Sequence, residues 1–156
     1  MFEQDVEKKK VVDLLNHILE MELAGMVRYT HYSLMVFGYS RIPIVSWLRE
    51  QANESMAHAL EAGELITSLG GHPSLGIGPL LETHKHDIGD ILREAMYHEQ
   101  ESIKAYRELL SLVEGKSITL EEYARRLIHD EVVHATEVDK MLRKPGEIGT
   151  YEAFSK

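Results

Sequence analysis

The segment His129-Asp130-Glu131-Val132-Val133-His134 sets a carboxylate and an imidazole three residues apart. On a helix such positions share a face. Leu127 and Val138 fall on the same stripe, so Glu131 and His134 point into a core. A buried carboxylate is costly without a compensating partner. Other polar residues fit the same description. Glu22 falls within the stripe Val11, Leu15, Ile18, Met26 and Tyr29. Glu99 interrupts Ile91, Ala95, Ser102, Tyr106, Leu109 and Val113. Glu54 and His58 lie four residues apart on a further helical segment. A single Glu on an apolar stripe, or one Glu-x-x-His, says little. The conjunction says more: four carboxylates and two imidazoles, one set per helix, in order. Oxygen and imidazole ligands suit iron and manganese. Four carboxylates nearly neutralise two divalent ions, and they can shift between bridging and terminal binding. The predicted metal-ligating and catalytic set is therefore Glu22, Glu54, His58, Glu99, Glu131 and His134. It would hold two iron ions per subunit, or a manganese or mixed pair, roughly 3.5–4 Å apart.

Four helices must position these residues. Apolar spacing predicts them at about 5–37, 44–69, 87–114 and 120–143 in a single domain, 1–156. Gly38 and Pro43 bracket the first turn, and Gly70-Gly71 stops the second helix. Thr119-Leu120-Glu121-Glu122 reads as a capping box for the fourth. Pro145-Gly146 ends it, and the tail, with Tyr151 and Phe154, is short enough to dock. The stretch from His72 to His86 is too long for an ordinary link of ~2–8 residues, so the chain crosses the length of the bundle there. The expected fold is all-α: a four-helix bundle with short first and last links, a long central (BC) crossover and a short C-terminal tail, the architecture called ferritin-like.

Composition excludes several classes. The 26 acidic and 17 basic residues give a net charge of −9, which repels nucleic acid and suits metal cations. Glu7-Lys8-Lys9-Lys10 reads as a solvated first turn. No apolar run approaches the ~18 residues of a membrane span. Cysteine is absent, which removes disulfides, thiolate zinc and iron–sulfur clusters. The acidic start, Met1 to Asp5, lacks the order of a signal peptide, so a cytoplasmic location is expected. Among the remaining histidines, His17, His31, His84, His86, His98 and His129 have no matched partner at ligand spacing. His84-x-His86 reads as a solvated loop or a surface metal site. Tyr29 and Tyr106 each follow a Glu by seven residues and could hydrogen-bond near the site.

Four stretches carry a resemblance to the bacterioferritin family across most of the chain, to about Met141. They are Met21-Glu22-Leu23 with Tyr29; Glu54-Ser55-Met56-Ala57-His58 leading to Leu69-Gly70-Gly71-His72-Pro73; Tyr97-His98-Glu99-Gln100-Glu101; and Asp130-Glu131-Val132-Val133-His134. The resemblance implies a dinuclear ferroxidase centre that oxidises Fe²⁺ with O₂ or H₂O₂, and storage of the ferric mineral. It implies a homodimer and a hollow 24-subunit cage. It also implies haem shared between two subunits, with Met56 as the ligand from each, although Thr30 and Asn53 are polar neighbours for a porphyrin. Val36, Trp47 and Leu60 lie off the inward stripes and are expected to face the second subunit. The sequence departs from the family at two places. Ser55 stands where the family has a Glu three residues before the helix-two His, and the tail lacks a clear fifth helix. Glu54, offset from His58 by only ~40° around the helix, is expected to take over as ligand; the other reading puts it on an iron access path. An alternative function is a rubrerythrin-like di-metal peroxidase or oxidase without a storage cage. A helical binding module and a DNA-protecting mini-ferritin fit less well, the first because of unbalanced buried carboxylates, the second because of charge.

Overall fold

The computed structural model describes residues 7–151. Four helices follow in order: α1 Lys8–Met35, α2 Arg41–Ser68, α3 Ile88–Val113 and α4 Ile118–Leu142. The expected start of the first helix at Asp5, and Phe154 of the tail, lie outside the described residues. No helix among them is long and apolar enough to cross a membrane.

The helix limits differ from expectation where turn chemistry decides. α2 begins at Arg41, before Pro43. A proline in the first turn is harmless, because its missing N–H would have no partner inside the helix. α4 is capped by Ser117, whose hydroxyl accepts from Leu120 N at 3.3 Å, and not by Thr119. Glu121 then reaches back to Gly115 N at 3.1 Å, joining the end of α3 to the start of α4. In the first turn of α1, Lys10 pairs with Glu7 and Lys9 with Asp13, all at the surface. Beyond α4, Tyr151 N donates to the buried Asp139 at 2.7 Å, and Arg143 pairs with the same carboxylate, so the chain after α4 docks against it.

α1 packs along α2, α3 along α4, and α1 also lies against α3. The core is split. One apolar layer holds Val11, Leu15 and Ile18 of α1, Ala62 and Ile66 of α2, Leu109 and Val113 of α3, and Leu120 and Leu127 of α4. Beyond it, Tyr29 and Val36 of α1 meet Leu48 and Ala52 of α2 and Ile91 and Ala95 of α3. There Leu92 and Met96 pack on Ala135 and Val138 of α4. Each helix thus passes from one apolar layer to the other, and the buried polar residues fall between. Val36 is fully buried in this second layer, and Trp47 packs against it. Neither faces outward, as the stripe reading expected; only Leu60 of the three stays exposed, at 59%.

The crossover, residues 69–87, runs along α1. Asn16 holds both His72 O and Ser74 N, and Gly78 N donates to Glu20 O at 2.8 Å. A Cβ on Gly78 would stand 3.0 Å from that same carbonyl, so glycine permits the approach. Further on, Glu82 meets His31 of α1. From Asn16 to His31 the helix rises ~22 Å, the distance the crossover follows along it.

Candidate metal centre

Three carboxylates sit between the apolar layers with almost no solvent contact: Glu22 at 3%, Glu99 at 2% and Glu131 at 4% exposure. Two imidazoles join them. His58 Nδ1 lies 3.2 Å from Glu131 and 3.5 Å from Glu22. His134 Nδ1 lies 3.6 Å from the other Glu131 oxygen. Two triplets result whose ligand atoms are mutually close enough to hold one ion each: Glu22, His58 and Glu131; and Glu99, Glu131 and His134. Glu131 is common to both.

Glu54 is brought to His134 and into neither triplet. Its half-exposed carboxylate lies 2.5 Å from His134 Nε2, while the Nδ1 edge of that ring faces Glu131. Ser55 is buried on the neighbouring stretch of α2. Met56 points away from the core, 38% exposed, beside a groove lined by Leu19, Leu23, Ala59 and Leu60. Thr30 and Asn53 do not line that groove, and both are exposed.

The two tyrosines bond crosswise. Tyr106 of α3 donates to Glu22 of α1 at 2.8 Å, and Tyr29 of α1 donates to Glu99 of α3. Seven residues along one helix rise ~10 Å, too far for a phenol to reach the Glu on its own helix. An antiparallel neighbour brings each phenol to the opposite carboxylate. Both phenols are held well above the usual tyrosine range, by burial first and then by the carboxylate beside them.

Without cations the cluster is balanced by protons. Burial, then the charge of Glu131, raises the Glu99 carboxyl well above the usual range. Glu22 is also raised, chiefly by burial. Burial works against the Glu131 carboxylate too, yet the close approach of Glu99, His134 and His58 together outweighs it and lowers its pKa. Burial likewise opposes the charged His58, but the nearby Glu131 and Glu22 carboxylates win and push it up to about 10. His134 is raised for the same reason, mainly by Glu131. The protons do not satisfy everything. Among the described residues three buried side-chain atoms lack a hydrogen-bond partner, and two of them are His58 Nδ1 and Glu99 Oε2. His58 Nδ1 is near two carboxylates but aligned for a bond with neither. Buried donor atoms of the right chemistry, converging without bonds, fit a pair of metal ions.

One neighbour was not legible from spacing. His98 is buried beside Glu99, its ring edge-on to Tyr29 at 6.2 Å. Burial, then the Arg28 charge, depresses its pKa to about 4, so it stays neutral. A Cβ on Gly25 would stand 2.7 Å from His98 Nε2 and 2.9 Å from Ser55 Oγ. The only sequence signal for this contact is a glycine three residues after Glu22, on an otherwise apolar face.

The sequence model of the Ferritin-like domain matches residues 12–147. This chain belongs to the ferritin-like family. Solved structures of similar fold include the ferritin-like, diiron-carboxylate proteins of Bacillus anthracis str. Ames, 26% identical over 87% of this chain and 97% of that one, with a TM-score of 0.77. Rhodobacter capsulatus bacterioferritin, described with a metal-free dinuclear site and haem iron, is 25% identical over 86% of this chain and 84% of its own, at a TM-score of 0.77. The dodecameric thioferritin, a bacterioferritin-related protein of Bacteroides fragilis, shares the fold at a TM-score of 0.81 and 23% identity, covering 88% of this chain and 86% of that one. No curated protein matches the chain. The ferritin-like bundle thus accounts for the long crossover and for the polar layer inside the core.

Proposed function

We propose that this ferritin-like chain oxidises Fe²⁺ at a dinuclear centre and, as a symmetric assembly of copies, stores the ferric product. The observation that carries the reading is Glu131, one buried carboxylate shared by two ligand triplets. Glu22 and His58 would complete one position, Glu99 and His134 the other. Two bound Fe²⁺ ions supply two electrons, enough to reduce H₂O₂ to water or O₂ to H₂O₂. The chain's own residues do the rest. Tyr106 and Tyr29 hold the carboxylates of Glu22 and Glu99 in place. The apolar layers on either side keep water from the ligands. Burial and the neighbouring carboxylates favour protons on Glu22, Glu99, His58 and His134, and bound cations would displace such protons. Three core carboxylates leave two divalent ions one negative charge short, and Glu54, against His134, is placed to offset it.

Exposed apolar residues support assembly. Leu34, Phe37 and Ile42 crowd the α1–α2 turn at 56, 70 and 83% exposure, and Leu60 flanks α2. The groove beside Met56 would also serve haem, with Leu19, Leu23 and Leu60 as walls and a second copy's methionine opposite. Haem reconstitution should then give a Soret band that Met56→Leu removes; no band in the wild type would leave Met56 a packing residue.

The deciding experiment is native mass together with iron per chain after aerobic Fe²⁺ loading, for the wild type and Glu131→Ala. Storage predicts a large particle with far more iron than the about two ions per chain a dinuclear centre holds. A dimer with only those two would make the protein a turnover oxidase or peroxidase. Glu131→Ala should lose rapid oxidation; wild-type rates in that variant would overturn the assignment.

A further inference from the structure

The His84-x-His86 motif has no part in the dinuclear centre, but the fold gives that stretch new partners. Glu82 lies between His31 of α1 and His86 of the crossover. Its Oε2 is 2.7 Å from His31 Nε2, and its Oε1 is 3.2 Å from His86 Nε2. His84 turns the loop through the left-handed region, φ 56°, and its backbone N–H donates to Glu82 Oε1 at 2.5 Å. One ligand atom from each of His31, Glu82 and His86 lies within 4.8 Å of the other two. Their side chains are 44, 36 and 25% exposed, open enough for a solvated ion to reach and covered enough to be held in place.

We propose that His31, Glu82 and His86 form a second, mononuclear site for a divalent first-row transition cation, pinning the crossover to α1. Two imidazoles and one carboxylate, with solvent at the remaining position, are a ligand set such ions accept. The geometry agrees. Ligands ~2.0–2.1 Å from a tetrahedral ion stand about 3.3 Å from each other. His86 Nε2 and Glu82 Oε2, the oxygen that also meets His31, are already close to that separation, at 3.4 Å. His31 and Glu82, at 2.7 Å, need to part by roughly half an ångström, a small rotation for exposed side chains. The backbone bond from His84 fixes the carboxylate between the rings. In the absence of a cation the trio can close only if each ring donates its Nε2 proton to Glu82; a cation replaces both protons. The site joins residues fifty-one positions apart, so an ion there would restrain the whole crossover.

Zn²⁺ binding, counted by equilibrium dialysis and titrated by calorimetry, tests this on the wild type, Glu82→Gln, His86→Ala, Glu131→Ala and the Glu131→Ala/Glu82→Gln double variant. Glu131→Ala should keep one site per chain that the double variant lacks or binds at least tenfold more weakly. Glu82→Gln and His86→Ala should each subtract one ion from the wild-type count. Zn²⁺ should also slow amide hydrogen exchange across residues 80–86 in Glu131→Ala but not in the double variant. Equal Zn²⁺ stoichiometry and affinity in Glu131→Ala and the double variant would overturn the proposal. So would crossover exchange that Zn²⁺ leaves unmoved, which would mark the trio as a simple ion-pair clamp.

Discussion

Glu54 and His134 show how one contact sets which ring nitrogen is left for a metal. A histidine can offer only one ring nitrogen to a metal while the other carries the proton. Glu54 stands 2.5 Å from Nε2 as an ion-pair partner, which leaves Nδ1 to face Glu131. Removing such an outer carboxylate typically costs 10–100-fold in metal affinity or activity. Glu54→Gln keeps an acceptor but removes the charge, so we expect a loss near the lower end of that range, confined to one of the two positions. Stepwise Fe²⁺ or Co²⁺ titration reads this directly: one tight site unchanged, one weakened. Loss of both sites would mean that Glu54 ligates directly, and two unchanged sites would mean that it contributes nothing. Glu22, Glu99, Glu131 and His134 stood out in the sequence because each breaks an apolar stripe, and His58 by its spacing from Glu54; the structure brings the five together. Glu54 was expected as a direct ligand, but its carboxylate stands beside His134, outside both triplets. Helical spacing gives an angle around an axis and not the rotamer, and it is the rotamer that sends Glu54 to the far edge of His134.

Gly25 does for α1 what the ligands do for the centre: it sets how close the helices come. His98 and Ser55 both approach the space a Cβ would fill, at 2.7 and 2.9 Å. The imidazole is buried and cannot swing into solvent. Gly25→Ala should therefore destabilise, although alanine is the better helix former by up to ~1 kcal/mol. Overpacking of a tight core costs about 1–3 kcal/mol, so the clash wins. Thermal melting of the metal-free protein checks it. A Tm equal to or above wild type would show that α1 shifts aside without penalty. The polar layer between two apolar layers follows from elements that the sequence foretold well, since each helix carries one or two polar residues at the same depth. The caps were harder to read. Thr119 and Ser117 are both good capping residues, and the choice depended on Gly115 and Glu121 closing the α3–α4 link, a contact between elements. The crosswise Tyr–Glu bonds were likewise out of reach of single-helix reasoning, because each joins α1 to α3.

At the proposed centre protons and cations would compete for the same buried groups, and the proton side of that balance makes the stability of the whole bundle depend on pH in a specific direction. His58 has an ordinary pKa of 6.5 and a folded value of about 10. A raised folded value contributes stability that is complete below pH 6.5 and is lost as the pH climbs toward 10. Glu22 and Glu99 are raised as well, so their contribution also falls as the pH rises above the ordinary carboxyl value of 4.5. His134 has the same sign as His58. Of the five candidate ligands only Glu131 is lowered, and its contribution is lost on the acid side. Four groups against one predict that the metal-free protein melts at progressively lower temperature from about pH 6.5 to about pH 9. Cations remove this dependence by taking over the charge balance, and they bind better as the protons become easier to displace. A cation at 100 times its dissociation constant stabilises by about 2.7 kcal/mol per site. For a chain of this size each kcal/mol raises Tm by roughly 2–4 °C. The metal-induced rise for the two sites of the centre should therefore be roughly 10–20 °C and should widen with pH. Melting curves with and without Mn²⁺, which binds oxygen and imidazole ligands without being oxidised by air on this timescale, measure both trends. A metal-free Tm that stays flat or climbs from pH 6.5 to about pH 9 would show that the core carboxylates and imidazoles are not holding protons between them. The balance drawn around Glu131 would then be wrong.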